Sequence, residues 1–114
     1  MVQDNLHIAT SQTDRGQTIL SLNGPLNIHT VYKFQEAVRN DPSPVLIIDC
    51  GGVPYIDSAG LGGMVGALVS SRRVNRKIAF AGLNKQAKVL VDMTHVSNIL
   101  HTYATLKEAE AAVS

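Results

Sequence analysis

Ser58 is the residue whose surroundings most invite chemistry. It follows Asp57 in the segment Val53-Pro54-Tyr55-Ile56-Asp57-Ser58-Ala59-Gly60-Leu61-Gly62-Gly63-Met64, where the hydrophobic spacing turns from loop to helix. The first N–H groups of a helix lack intrahelical acceptors and carry the positive end of its dipole. A serine oxygen there can accept one of those N–H groups and cap the helix, or it can carry a phosphate that they stabilise. One atom can serve both roles, and the local sequence leaves both open.

Competing chemistries are less well supported. Ile56-Asp57-Ser58-Ala59-Gly60 approaches the G-x-S-x-G elbow of serine hydrolases, but Ile56 stands where the leading glycine belongs. A hydrolase also needs a histidine and an acid beside the serine; Asp92, His95 and His101 follow, with no spacing that brings them there. Gly60, Gly62 and Gly66 lie about ten residues beyond the apolar strand before them, too far for a dinucleotide fingerprint, and no acid follows at about twenty residues to hold a ribose. No Walker loop is present either, so helix packing is favoured for these glycines over cofactor binding; Gly62, Gly63 and Gly66 are expected to allow close approach of the helix to the sheet, with tight packing or an exposed backbone offsetting their cost. His7, His29, His95 and His101 are scattered without a metal-binding spacing, and no cofactor is expected. Asp49 and Asp57 could form an acid pair, or each could cap a turn.

The elements that must position Ser58 follow from periodicity. Leu6 and Ile8, then Ile19-Leu20-Ser21-Leu22, flank Asp14-Arg15-Gly16 and predict an opening hairpin. Val31, Phe34, Ala37 and Val38 recur at helical spacing until Asp41-Pro42-Ser43-Pro44. Val45-Leu46-Ile47-Ile48-Asp49-Cys50 is a continuous apolar run, the pattern of a central strand covered on both faces. Leu61, Met64, Val65, Leu68 and Val69 predict the buried stripe of the helix after Ser58. The basic cluster Arg72-Arg73-Val74-Asn75-Arg76-Lys77 falls at that helix's C-terminal end, where cations complement the dipole; an anionic partner surface is the alternative. Lys77 to Ala81 reads as a strand, Asn84 as the cap of a helix through Val89, Leu90 and Met93, Ile99 to Tyr103 as a short strand, and Leu106, Ala109 and Val113 as one face of a last helix. This order predicts an α/β (α+β) fold with a mixed sheet and helices covering mainly one face.

The chain has 114 residues, the size of one domain, and residues 1–114 are read as such. With 45% hydrophobic and 17% charged residues the composition is that of a folded globule. Ten Lys and Arg against nine Asp and Glu leave a net charge of +1, which gives no general attraction for nucleic acid or anionic lipid. Cys50, alone, excludes an internal disulfide and is expected to be a small buried hydrophobe, with a redox role as the alternative. No leader or membrane span is evident, so a cytoplasmic protein is expected.

The serine segment, the strand Val45-Leu46-Ile47-Ile48-Asp49 before it and the helix and Phe80 strand after it resemble the STAS domain of bacterial anti-sigma factor antagonists. Gly24-Pro25-Leu26-Asn27-Ile28-His29-Thr30 resembles that family's G-x-L-D-x-x-T segment, with Asn27 where an aspartate is usual; the closing strand and helix also fit. The resemblance implies a STAS-like fold and a non-enzymatic switch. The unphosphorylated form would bind an anti-sigma factor that is also a serine kinase, so releasing a sigma factor. Phosphorylation at Ser58, with ATP and magnesium held by the kinase, would switch binding off, and a phosphoserine phosphatase would reset it. The partner surface implied comprises Asn27, Thr30, Tyr55, Ile56, Asp57, Ser58, Ala59, Gly60, Gly62 and Gly63. The same fold also serves as a structural subunit of stress-signalling scaffolds or lipid-transport ABC complexes, the alternative reading.

Overall fold

In the computed structural model, which describes residues 5–113, the chain runs β1 (His7–Gln12), β2 (Thr18–Asn23), α1 (Val31–Asn40), β3 (Val45–Gly52), α2 (Ser58–Arg73), β4 (Lys77–Ala81), α3 (Lys85–Met93), β5 (Thr102–Tyr103) and α4 (Leu106–Ala112). The strands form one sheet in the order β1-β2-β3-β4-β5, antiparallel at β1–β2 and parallel elsewhere. Gly16, at φ 79°, supplies the left-handed residue of the opening turn. Each later strand returns parallel to its predecessor through a helix, which brings the loops after β2 and β3 to the same end of the sheet.

The continuous apolar run of β3 has the expected cause. Leu46, Ile48 and Cys50 join the larger core with Leu20, Leu22, Phe80 and the buried residues of α1, α2 and α3. Ile47, on the opposite face, joins Ile19, Ala79, Ala81, Ala109 and Val113 beneath α4. Three helices therefore cover one face and the short α4 covers part of the other, so the expected one-sided arrangement holds in the main.

Several expectations about individual faces need correction. In α2 the buried stripe is Gly60, Leu61, Gly63, Met64, Ala67, Leu68 and Ser71; Val65 is half-buried and Val69 exposed. Small residues at Gly60, Gly63 and Ala67 let the helix rotate toward α1, which moves the two valines off the interface. In α3 the buried residues are Ala87 and Val91, whereas Val89 and Met93 are exposed. They stand two positions out of phase with the sheet-facing pair on a helix of 3.6 residues per turn. The closing strand is only Thr102–Tyr103, shorter than the expected Ile99 to Tyr103, and Leu100 just before it is buried.

Arg76 extends the reading of the basic cluster. Its guanidinium donates to the carbonyl oxygens of Val38 and Asp41, and its Nε to that of Ser43 at 2.9 Å, tying down the carbonyl end of α1 and the turn that follows. Arg72 and Arg73 occupy the last turn of α2, as dipole complementarity predicts.

Cys50 is buried, and desolvation, reinforced by the neighbouring Asp49 carboxylate, pushes its thiol up to about 12. Native Cys50 is expected to resist a thiol-specific disulfide reagent at pH 8 and to react at the rate of unfolding. The folded pKa lies above the ordinary thiol value of 9.0, so the linked stability is complete below pH 9 and is lost between about pH 9 and 12. Denaturant titrations across that range should show a steeper alkaline loss in the wild type than in Cys50→Ala, whose overall stability is lower; equal slopes would contradict the assignment.

Candidate functional site

The site lies where the loop after β2 meets the loop after β3. A parallel bridge joins Leu26 to Ile56. Leu26 N–H donates to the Tyr55 carbonyl at 3.2 Å, and Asp57 N–H donates to the Leu26 carbonyl at 3.3 Å. This pairing continues the parallel sheet for one further rung, so the entry to α2 is held against the entry to α1.

Asp57, and not Ser58, is the N-cap of α2. Its Oδ1 accepts from Gly60 N–H at 2.8 Å, while Oδ2 accepts from Ile28 N–H at 3.2 Å. One carboxylate thus caps the helix and fastens the other loop to it. The capping half of the expectation for Ser58 is corrected: a carboxylate one residue earlier has the extended backbone and the reach to the third helical amide. Ser58 becomes the first helical residue, exposed and without a side-chain hydrogen bond among the described residues. Its hydroxyl is free of structural duty, at the positive end of a helix of 16 residues. Asp57→Ala is expected to cost about 1 to 2 kcal/mol, read as a lowered midpoint in urea, because both a cap and an interloop bond are lost. Asp57→Asn should recover most of it, since its amide oxygen can still accept.

Asn27 is 4% exposed and organises the facing loop. Its Oδ1 accepts from the N–H groups of His29 and Thr30 at 2.9 and 3.2 Å, and its Nδ2 donates to the Tyr55 hydroxyl at 3.1 Å. Thr30 Oγ1 donates to the Pro25 carbonyl at 2.8 Å and accepts from Asn27 N–H at 3.0 Å. A carboxylate at position 27 could make the same two backbone contacts and accept from Tyr55 in turn. Asn27 therefore organises this loop without a negative charge.

Two residues outside the sequence-based set complete the frame. Gln86, in the first turn of α3, accepts from Ile56 N–H at 3.0 Å and donates to the Ile56 carbonyl at 2.9 Å, replacing a missing strand neighbour. Asn84, read from sequence only as a helix cap, does accept from Ala87 N–H, and its Nδ2 also donates to the Pro54 carbonyl at 2.7 Å. Nothing local marks Gln86; its role depends on a contact across 30 residues of chain.

Of the residues expected at the partner surface, Tyr55, Ser58 and Gly62 are exposed, and Asp57 and Ala59 are half-buried. Asn27, Thr30, Ile56, Gly60 and Gly63 are buried and shape the surface from below. Sequence reasoning passed over Ile28, which is 67% exposed and bonded through its N–H to Asp57, and Tyr32, which is 58% exposed in the first turn of α1. The signal was available: Ile28 sits in a polar loop, and Tyr32 lies off the Phe34–Val38 stripe. The glycines also divide. A Cβ on Gly60 would stand 2.1 Å from the Leu26 carbonyl oxygen, and one on Gly63 would stand 2.3 Å from Val31 Cγ2, whereas Gly62 and Gly66 face open space. Close approach is thus made by Gly63 to α1 and by Gly60 to the loop before it, not to the sheet as expected, while Gly62 and Gly66 take the alternative of an exposed backbone.

Asp49 and Asp57 have separate duties, since Asp49 Oδ1 accepts from Gly51 N–H at 2.9 Å and closes its own turn. Ser58 makes no hydrogen bond to a histidine among the described residues, and its hydroxyl is accessible. No helix among the described residues is long and apolar enough to cross a membrane.

Known proteins with this arrangement share one fold. The Anti-sigma-B factor antagonist of Listeria monocytogenes is 30% identical over 99 residues, covering 84% of this chain and 87% of that protein. An anti-sigma factor antagonist from Mycobacterium paratuberculosis superimposes with a TM-score of 0.81 at 20% identity, covering 98% of this chain and 97% of that one. The Bacillus cell fate determinant SpoIIAA in its phosphorylated form superimposes with a TM-score of 0.67 at 17% identity, covering 95% and 100% of the two chains. The family model for the STAS domain matches residues 7–109, a span that takes in the mixed sheet, both paired loops and the Asp57–Ser58 helix start, and the chain belongs to that family.

Proposed function

We propose that this protein is an anti-sigma factor antagonist whose unphosphorylated form binds an anti-sigma factor with serine kinase activity, and whose binding is switched off by phosphorylation of Ser58. The observation that carries this reading is the division of labour at the start of α2. Asp57 caps the helix, so Ser58 is an exposed hydroxyl at a helix N-terminus with no other task. A phosphate there gains the helix dipole locally while adding about −1.5 to −2 charges beside Asp57.

The unmodified surface suits a protein partner. Tyr55, Ile28 and Tyr32 offer exposed aromatic and aliphatic area around the serine, and Gly62 lets a partner's backbone come close to α2. New charge at the centre of such a contact opposes its desolvation, whereas charge at the rim is tolerated. A phosphoserine phosphatase would be needed to restore the binding form. The names of the STAS relatives support the antagonist reading, and the phosphorylated SpoIIAA neighbour supports the switch.

The test is recovery of the native protein from its host with identification of copurifying chains and phosphate mapping in wild type and Ser58→Ala. Phosphate on Ser58, with a kinase that retains only the unmodified form, is the expected result. An unmodified serine under all growth conditions, with large scaffold or transporter subunits attached, would replace this reading with that of a structural STAS subunit.

A further inference from the structure

α3 carries an apolar face that its own chain leaves open. Ala87 and Val91 are its buried residues, and with about 100° between successive residues of an α-helix the direction opposite to them falls on Val89. Val89 is 46% exposed and Met93 71%, with the half-buried Leu90 beside them. Together with Lys85 and Gln86 these side chains line an open groove of about 420 Å³.

The charges on this face run against the dipole of the helix that bears them. Lys85 is the first residue of α3 and Asp92 stands in its last turn, with no acid at the start and no base at the end. Each position is unfavourable within α3 alone, because a helix start favours negative charge and its end positive charge. Neither side chain has a hydrogen bond or ion pair among the described residues. Both lie on one flank of the face, about 40° and 60° round the helix from Val89, whereas Met93 and Gln86 lie at similar angles on the other flank.

We infer that α3 binds α3 of a second copy of this chain, antiparallel, about a two-fold axis beside Val89. Such an axis sets like flanks against each other. Lys85 lies about 6 Å before Val89 along the helix and Asp92 about 4.5 Å after it, so Lys85 of each copy comes level with Asp92 of the other to within about 1.5 Å. Two opposite-charge pairs form, and each lysine also meets the negative end of the neighbouring helix dipole. Val89 packs on Val89 at the axis, and Met93 lies against Gln86 of the other copy. A parallel arrangement would instead set lysine on lysine and aspartate on aspartate. One helix face is less area than a stable dimer buries, so the association is weak, with a Kd on the order of 0.1 to 1 mM. It does not depend on the reading of Ser58.

Sedimentation equilibrium and backbone amide NMR of the full-length protein, from about 20 μM to about 1 mM, should show a monomer–dimer equilibrium. Concentration-dependent shifts are expected at Lys85, Val89, Asp92 and Met93, and the dimer should weaken in about 1 M salt, which screens exposed pairs. Lys85→Glu and Asp92→Lys should each lower the dimerisation constant about tenfold or more, by setting like charges together at both pairs. Each variant aligns its charge with the dipole of α3, so a native amide spectrum is expected. An equimolar mixture of the two variants should associate about as well as wild type, because it restores opposite charges at both pairs. Val89→Glu, which places two carboxylates at the axis, should be monomeric. A monomer at every concentration, or single variants whose mixture stays monomeric, would overturn the inference. So would shifts that map elsewhere, or α3 shifts that arise only on adding the anti-sigma partner, which would assign this face to that contact instead.

Discussion

Phosphorylation of Ser58 is expected to weaken binding of the anti-sigma partner by several hundredfold, with Ser58→Ala binding within about threefold of wild type. The asymmetry follows from the geometry at the helix start. Removing the hydroxyl loses no cap, because Asp57 already accepts from Gly60 N–H, and it leaves no buried group unsatisfied, because Ser58 is exposed. Adding phosphate places about 1.5 to 2 negative charges next to the Asp57 carboxylate, on the contact surface proposed above. A cost of about 3 to 4 kcal/mol is reasonable for unpaired charge in a desolvated contact, and at 1.4 kcal/mol per decade it gives the stated factor. Calorimetric titration of the proposed anti-sigma partner, once identified by copurification, with both forms measures it directly. Equal affinities would place Ser58 outside the contact and remove the switch.

Gly60→Ala and Gly62→Ala should move stability in opposite directions, although the two positions are separated by one residue on the same helix. At Gly60 a methyl group would stand 2.1 Å from the Leu26 carbonyl oxygen, which is also the acceptor for Asp57 N–H. Backbone must shift to admit it, at a cost of about 1 to 3 kcal/mol, and the rung that joins the two loops breaks. At Gly62 the methyl group meets nothing, and alanine gains about 0.8 to 1 kcal/mol of helix propensity. Thermal unfolding should therefore fall by several degrees in the first variant and rise by a few in the second. Partner binding separates them again. Gly60→Ala should lose affinity by displacing Asp57 and Ser58, and Gly62→Ala should lose it by obstructing the partner while the free protein is more stable. A Gly62→Ala protein that is both more stable and fully competent would show that the partner does not approach α2 at that turn.

The boundary between what was legible beforehand and what was not follows the range of the interactions. The strand Val45–Gly52 was readable because a parallel strand buried on both faces must be apolar at successive positions, and its two cores confirm the reason. The stop at Asp41-Pro42 was readable because proline has no N–H to continue a helix. The start of α2 was readable to within one residue, but Asp and Ser are both good caps and adjacent, so their order of use was not.

Helix rotation was less accessible. In α2 the apolar periodicity favoured Val65 and Val69, yet the contact with α1 selected a stripe containing Gly60, Gly63 and Ala67. Small residues carry little hydrophobic signal, and their value appears only when another backbone lies against them.

By itself, then, the sequence determined the order of strands and helices, the buried central strand, the helix start at Asp57–Ser58 and the family resemblance, because each depends on chemistry within a few residues or on a recurring local pattern. Tertiary structure alone decided that Asp57 spans two loops to Ile28, that Gln86 completes the bonding of Ile56, that Asn27 reaches the Tyr55 hydroxyl, and that the Ser71 hydroxyl is buried. Most of those facts rest on groups far apart in the chain, and the remainder on side-chain directions set by what packs around them. Their energies depend on distance and burial, which no local spacing of residue types encodes.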